Sequence, residues 1–475
     1  MIDLKNLTIE KAHEMMKRGD FTSRELTEEY LKIIKEKNPE LNAFLEVYDD
    51  VLTQAEEADN KFKNGTATLM TGIPLAIKDN ILFQGHIVSA GSKILENYKA
   101  SYSSPIIKTL LECGAVIMGR TNMDEFAMGS STEHSAYGPT KNPHDPSRVP
   151  GGTSGGSAAA LAADMALSTI GTETCGSVRE PAAFCGVVGL KPTYGALSRH
   201  GVIAMGNSLD QVSPFGKTVR DAEIVFETLS KHDPEDSTSI PEALRNKIKE
   251  KNTKKKENII GVPWHLFEED LDPVIMENFK QSIDRLKKAG YEVVDIKLPH
   301  APYSLAVYYI VMPAEVSTNL SRFDGIRYGF HTDGEDLMEV YKKSRAKGFG
   351  AEARRRILLG TYVLSHGYYD AYYNKALKVR ENIKQEMMEA FKKVDFIVTP
   401  TAPFLPFKLG EKLHDPVSMY LCDLFNAPAN LAGMPSIAIP SGFTPEGLPF
   451  SIQFTAPHFR EDALFEVGKK FESIK

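Results

Sequence analysis

The stretch Val149-Pro-Gly-Gly-Thr-Ser-Gly-Gly-Ser-Ala-Ala-Ala160, with Gly171-Thr-Glu-Thr-Cys-Gly-Ser-Val-Arg-Glu-Pro181 just after it, sets two glycine- and hydroxyl-rich loops close together, each leading into a run of small residues. Gly151, Gly152, Gly155 and Gly156 let the backbone turn where a Cβ would clash, so peptide N–H groups can converge on a ligand at a helix start. Three chemistries use such a loop. Phosphate binding has little support, because neither G-x-x-x-x-G-K-[ST] nor a strand-linked G-x-G-x-x-G with a downstream acidic partner occurs. A nucleophile elbow is formally matched by Gly152-Thr-Ser154-Gly-Gly156. That elbow needs a strand running straight into the serine, whereas Asn142-Pro-His-Asp-Pro-Ser-Arg-Val-Pro150 is broken by prolines. The third chemistry is acyl transfer by a serine whose base is a lysine.

Such a lysine has to lose its proton near neutral pH. Gly72-Ile-Pro-Leu-Ala-Ile-Lys78-Asp-Asn80 offers a short apolar strand ending in Lys78, which would carry the amine into the protein. Burial disfavours the charged form and lowers the pKa. Taken alone, the nonapeptide reads more simply as a solvated lysine at a strand end.

The three blocks 72–80, 149–160 and 171–181 resemble, in order and separation, the signature blocks of the amidase signature family. The resemblance implies an α/β fold with a central mixed β-sheet covered on both faces by helices, and a Ser-cis-Ser-Lys triad. Ser177 would be the nucleophile, Ser154 the bridging serine in a non-proline cis peptide with Thr153, and Lys78 the base. Backbone N–H groups at Thr174, Cys175 and Gly176, up to Ser177, would form the oxyanion hole.

Within the family the chain is most similar to the branch formed by the A subunits of tRNA-dependent amidotransferases. Asn122-Met-Asp-Glu-Phe-Ala-Met-Gly-Ser-Ser-Thr-Glu133, Ser321-Arg-Phe-Asp-Gly-Ile-Arg-Tyr328, Arg354-Arg-Arg-Ile-Leu-Leu-Gly-Thr361 and Gly367-Tyr-Tyr-Asp-Ala-Tyr-Tyr373 carry that likeness. It implies a glutaminase whose ammonia passes to a partner for ATP-dependent amidation of Glu-tRNA(Gln) or Asp-tRNA(Asn). Arg356 would hold the glutamine carboxylate and Asp423 its ammonium, with Tyr308 or Tyr309 nearby. The implied partners are a tRNA-binding B subunit and a small C subunit; tRNA is held mainly by the partner. No cofactor is expected in this chain, ATP and Mg being expected at the partner. A stand-alone amidase for small amides and a catalytically weakened scaffold are the alternatives.

Composition agrees with a soluble, cytoplasmic protein. The 475 residues are 42% hydrophobic and 25% charged, with no apolar run long enough to span a membrane and no signal-peptide apolar region after Met1-Ile-Asp-Leu-Lys. Four cysteines without C-x-x-C spacing and twelve scattered histidines point away from a metal site and towards reduced thiols. A net charge of −7 and a pI near 6.0 lack the basic footprint of an RNA-gripping surface.

Length alone suggests about three domains, but no glycine-serine or proline-rich linker divides the chain and no repeat is found. A single domain over 1–475 is expected, made of N-terminal helices (1–65), a core with the catalytic loops (66–230), a polar connection (231–258) and a second part of the sheet (259–475) with a helical segment at 301–393. Thr22-Ser-Arg-Glu25 is a capping box. Strands are expected at 74–77, 115–118, 166–170, 259–263, 291–298, 395–400, 436–440 and 450–454, with helices at 50–62, from 105, and at 157–163, 177–185, 218–226, 273–289, 303–320, 352–391 and 461–474. The short helix at 177–185 would aim its positive end at the oxyanion. The run Lys254-Lys-Lys256 reads as a solvated connection. Tyr362, Tyr368, Tyr369, Tyr372 and Tyr373 read as core or pocket lining.

The nucleophile loop departs from the usual G-[ST]-D-T-G-G-S-[IV]-R-Q-P at Glu173, Cys175 and Glu180. A Cβ at 175 would disfavour a positive φ and crowd the oxyanion hole, and Glu180 would add negative charge. Ala196 and Gly206-Asn207 also depart from the branch. Cys175 as nucleophile is disfavoured because no local motif supplies it with a base.

Overall fold

The computed structural model describes residues 2–254, 258–267 and 271–474. Its strands are β1 (Phe44–Val47), β2 (Pro74–Lys78), β3 (Val116–Thr121), β4 (Ser168–Glu173), β5 (Val188–Lys191), β6 (Gln211–Gly216), β7 (Ile259–Val262), β8 (Glu292–Asp295), β9 (Phe396–Pro400), β10 (Ser436–Phe443) and β11 (Pro449–Thr455). All join one sheet in the order β1-β3-β2-β4-β6-β5-β10-β11-β9-β7-β8. β2 is parallel to β3 and β4, β7 is parallel to β8 and β9, and the other neighbours are antiparallel. This is the expected mixed sheet.

Every residue of β2, β3, β4, β5, β6 and β9 is buried, as follows when helices flank a sheet and strands need not alternate in polarity. One apolar core joins the N-terminal helices to β2, β3 and the small-residue helix Gly155–Ala162. A second gathers the helices Ser304–Asn319 and Lys375–Ala390 around Cys175 and Tyr308. A third lies beneath the helices Pro273–Lys288 and Glu461–Ser473. The helix Ala351–Val363 sits directly on Ser304–Asn319, where a Cβ on Gly360 would fall 1.8 Å from the Pro313 carbonyl oxygen. Only glycine permits that approach.

Several expectations need correcting. The N-terminal segment is not all helix: after the capping-box helix Ser23–Leu41, Asn38 bonds both backbone groups of Phe44, and the chain turns through Asn42 (φ 50) into edge strand β1. β5 and β6 were not anticipated. In β6, Pro214 stands opposite Ile170 of β4, an uncommon place for a residue without an N–H. The polar connection 231–258 contains the helix Glu242–Asn252, anchored by Arg245 Nε on the Ile240 carbonyl and Nη1 on Ser230 Oγ. Lys254 pairs with Asp395 at 2.9 Å; Lys255 and Lys256 lie outside the described residues. The helical stretch at 352–391 is interrupted, giving Ala351–Val363, a π-turn at Tyr369–Asn374 and Lys375–Ala390. Tyr362, Tyr368, Tyr369 and Tyr372 are exposed rather than core. Among the described residues no helix is long and apolar enough to cross a membrane.

Candidate active site

β2 ends in Lys78, and its parallel neighbours carry the side chain into the interior, where it is fully buried. Its Nζ lies 2.7 Å from Thr153 Oγ1, 2.8 Å from Ser154 Oγ and 3.2 Å from the Thr172 carbonyl oxygen. Burial outweighs the nearby Asp124, Asp210 and Glu173 and lowers its pKa to about 7. Ser154 Oγ is also 3.1 Å from the Thr172 carbonyl oxygen. A protonated Lys78 donates to all three oxygens; a neutral one keeps a lone pair free for the Ser154 proton. Thr153 was not singled out from sequence, although it stands beside Ser154 in the decisive loop.

The peptide joining Thr153 to Ser154 is trans, because the described residues contain no cis peptide bond; here the implied Ser-cis-Ser-Lys arrangement is not found. Gly151 (φ 80) and Gly152 (φ 51) make the turn instead, and Ser154 meets Lys78 from an ordinary φ of −101°. Gly152 is braced through its N–H to the Ser130 carbonyl and its own carbonyl to Thr132 Oγ1, while Asp124 collects the N–H groups of Ser131, Thr132 and His134.

The second loop begins where β4 stops. The Ser154 N–H donates to the Ser177 carbonyl at 3.1 Å, joining the two loops. Among the described residues no hydrogen bond takes up the backbone N–H groups of Thr174, Cys175, Gly176 or Ser177, nor the Ser177 hydroxyl. Buried donors left open in this way are rare. Thr174 Oγ1 donates to Asp210 (2.6 Å), and Asn430 Nδ2 donates to the Thr174 carbonyl (2.8 Å), so distant segments fasten the loop.

The structure accounts for the three departures in this loop. The left-handed residue is Gly176 (φ 70), so Cys175 carries no positive φ and its side chain joins the second core. Burial pushes its thiol pKa well up, which removes it as a thiolate nucleophile. Glu173 receives Arg179 Nε at 2.9 Å and Nη2 at 2.6 Å, and its other oxygen accepts the N–H groups of Val178 and Arg179, each at 3.1 Å. The first donors of the helix Arg179–Cys185 are therefore engaged by Glu173 and do not face an oxyanion, contrary to expectation. Glu180 is buried with neither carboxyl oxygen hydrogen-bonded, and burial, then the neighbouring Asp423, push its pKa well up. It is a neutral acid and adds no charge.

A stability prediction follows. The folded chain holds a proton on Glu180 that the unfolded chain releases above the usual carboxylate range, so this group makes the fold lose stability as pH rises. Glu180→Gln should therefore stabilise, by an amount growing about 1.4 kcal/mol per pH unit above pH 5. Urea unfolding of both proteins at pH 5, 6 and 7 tests this; a difference independent of pH would refute the neutral acid.

The four substrate-side residues meet beside the loop. Asp423 is buried, with Oδ2 accepting from Tyr309 Oη at 2.7 Å and Oδ1 unpartnered; a Cβ on Gly176 would lie 2.8 Å from Oδ1. Burial raises its pKa to about 7. Arg356 is buried between the Tyr309 and Tyr420 rings, each centroid 5.4 Å from the guanidinium carbon, with Nε on Glu352 at 2.7 Å and Nη2 unpartnered. Tyr309 stacks on Tyr420 at 3.8 Å, and Tyr308 stands edge-on to Tyr309 at 4.8 Å. The site thus ends in one open acceptor and one open donor. Among the described residues no cluster suited to a metal is found.

Comparison with known proteins agrees with this geometry. The family model described as Amidase matches residues 25–465. A Thermoanaerobacter pseudethanolicus protein, named as the A subunit of glutamyl-tRNA(Gln) amidotransferase, is 48% identical, over 99% of this chain and 97% of its own length. The Microcystis aeruginosa protein of the same name is 47% identical, over 98% and 97%. Among solved structures, the A subunit of glutamyl-tRNA(Gln) amidotransferase from Thermotoga maritima superposes with a TM-score of 0.80 at 38% identity, covering 100% of this chain and 96% of its own. A peptide amidase in complex with chymostatin gives 0.81 at 28% identity, over 99% and 98%. With its fold, its paired glycine loops and its length all matched, the chain belongs to the amidase family.

Proposed function

We propose that the chain is the glutaminase subunit of a tRNA-dependent amidotransferase. The observation that carries this reading is a fully buried Lys78 amine in contact with Ser154, next to a loop whose Ser177 hydroxyl and backbone N–H groups are uncommitted. Neutral Lys78 draws a proton through Ser154 as Ser177 Oγ attacks the glutamine carboxamide. The oxyanion forms beside the N–H groups of Thr174, Cys175 and Gly176. Ammonia leaves with the returned proton, and water releases glutamate from the Ser177 ester. A trans Thr153–Ser154 peptide leaves this relay in place, because Ser154 already reaches the lysine.

Glutamine is a zwitterion with a side-chain amide, and the open Asp423 Oδ1 and Arg356 Nη2 supply one acceptor and one donor for its two charged ends. The assignment makes Arg356 the carboxylate partner and Asp423, ionised when substrate binds, the ammonium partner, with Tyr308 and Tyr309 as the wall between. The relatives' name places the ammonia in Glu-tRNA(Gln) amidation. A B subunit then holds tRNA, ATP and Mg, a small C subunit completes the complex, and the reaction runs in the cytoplasm.

The test is ammonia release from glutamine as a function of pH. Lys78 must be unprotonated to accept, and its folded pKa lies near 7, so kcat should climb through about pH 7 and level off above it. Lys191 is also fully buried with a pKa lowered to about 7, but its Nζ reaches only the Pro192 carbonyl. Lys191→Met should therefore leave the midpoint unmoved. A rate flat from pH 6 to 9, or a midpoint that follows Lys191, would remove Lys78 as the base.

A further inference from the structure

The outer side of the helix Ala351–Val363 and the turn after it expose apolar side chains on a scale unusual for a free surface. Among the described residues, seven of the large hydrophobic side chains left exposed fall within 358–377, with Leu358 at 70% and Tyr362 at 47%. They form a continuous strip. Arg354, Leu358 and Tyr362 follow one another at i, i+4 and i+8 along the helix. The Tyr362 ring meets that of Tyr368 at 4.3 Å, and Tyr368 stacks on Tyr372 at 5.9 Å, next to Lys375. Soluble proteins seldom leave contiguous patches of this kind uncovered unless they bind something.

Charge narrows the occupant. Residues 342–380 carry ten Lys or Arg against two acidic residues, in a chain of net charge −7. Lys342, Lys347, Arg354, Lys375 and Lys378 make no ion pair among the described residues. The fitting surface is therefore acidic at its rim and apolar at its centre. Tyrosine and arginine are the side chains most enriched in protein–protein contacts. Nucleic acid would use the tyrosines and cations, but it gives exposed Leu358, Leu359 and Leu377 nothing to bury against. A protein surface uses both.

We infer that this strip, centred on Leu358 and Tyr362 and rimmed by Arg354 and Lys375, is the docking face for an acidic, apolar-centred surface of the amidotransferase B subunit. The inference rests on the subunit reading above. The same helix turns Arg356 inward to the substrate end of the site, so the docked subunit lies one helix thickness from the glutamine.

The experiment measures affinity of the purified chain for the purified B subunit of the same amidotransferase by calorimetry. Leu358→Asp and the double variant Arg354→Glu/Lys375→Glu are compared with wild type and with Leu244→Asp, an exposed leucine on a different helix. Melting temperatures serve as the folding control. Leu358→Asp should weaken binding at least 100-fold, the charge variant should weaken it most at low salt, and Leu244→Asp should match wild type. Equal affinity in all four would overturn the docking face while leaving the subunit reading intact. No binding even by wild type, with glutamine still hydrolysed, would instead sink the subunit reading and this inference with it. Loss of a homodimer or of bare tRNA binding in Leu358→Asp, with affinity for the B subunit unchanged, would reassign the strip to a second copy or to RNA.

Discussion

Ser177→Ala should reduce kcat for ammonia release from glutamine by roughly 10⁴-fold or more, the scale seen when a hydrolase loses its nucleophile, while leaving the fold almost untouched. The two halves of that expectation have separate causes. The Ser177 hydroxyl makes no hydrogen bond among the described residues, so its removal breaks none and should change stability by less than about 1 kcal/mol. Its chemical role has no substitute, because burial keeps the neighbouring Cys175 thiol protonated. Single-turnover ammonia assays and a urea titration of the same preparation check both halves. Activity within tenfold of wild type would dismiss Ser177 as nucleophile. A large stability loss would mean that the hydroxyl is a structural tie.

Glu173→Ala should do the reverse, lowering stability first and activity as a consequence. Glu173 and Arg179 both have side chains with no exposed surface. Removing the carboxylate strands a guanidinium whose other partners, Gln453, Asn430 and the Asn426 carbonyl, are all neutral. Breaking a buried ion pair from one side typically costs about 3 to 5 kcal/mol, and here the N–H groups of Val178 and Arg179 lose their acceptor too. Glu173→Asp restores the carboxylate one methylene short and should recover part of the loss. Urea midpoints for the three proteins decide the matter, and an alanine variant as stable as wild type would show that the pair contributes nothing net.

The site was more legible than the sheet that carries it, for a physical reason. Glycines, serines and a lysine at the end of an apolar strand have few uses in common, so the local letters of the two loops and of 72–80 already define a small chemistry. Strands declare themselves through length and repetition, and the missed ones have neither. β5 is four residues with a glycine in it, and β6 carries Pro214 in its middle; both form because their neighbours β4 and β10 are already in place, which is information held elsewhere in the chain. β1 likewise depends on Asn38 reaching across a turn to Phe44.

Long-range ties at the site were equally hidden. Nothing near Asn430 announces that its amide will hold the Thr174 carbonyl. Arg356 and Asp423 were identifiable only through family likeness, because each looks like an ordinary surface ion until the fold buries it. The implied cis peptide failed for a local reason: two successive glycines in the left-handed region bring Ser154 to the lysine without it. The exposed tyrosines misled in the other direction, since an aromatic cluster reads as interior wherever a sequence is silent about what else the protein touches.

The contact of Gly360 with the Pro313 carbonyl bears on how such a protein would feel a neighbour. Two helices this close have no layer of side chains between them to absorb a small slide, so they move as one piece. That piece carries Arg356 on one rod and both Tyr308 and Tyr309 on the other. A push on its outer wall therefore displaces the arginine and the tyrosines in concert, changing the grip on a bound amino acid without moving Lys78, Ser154 or Ser177, which belong to the strands and loops of the opposite wall. Mechanical separation of grip from chemistry of this sort lets an assembly adjust substrate affinity while the bond-breaking machinery stays fixed.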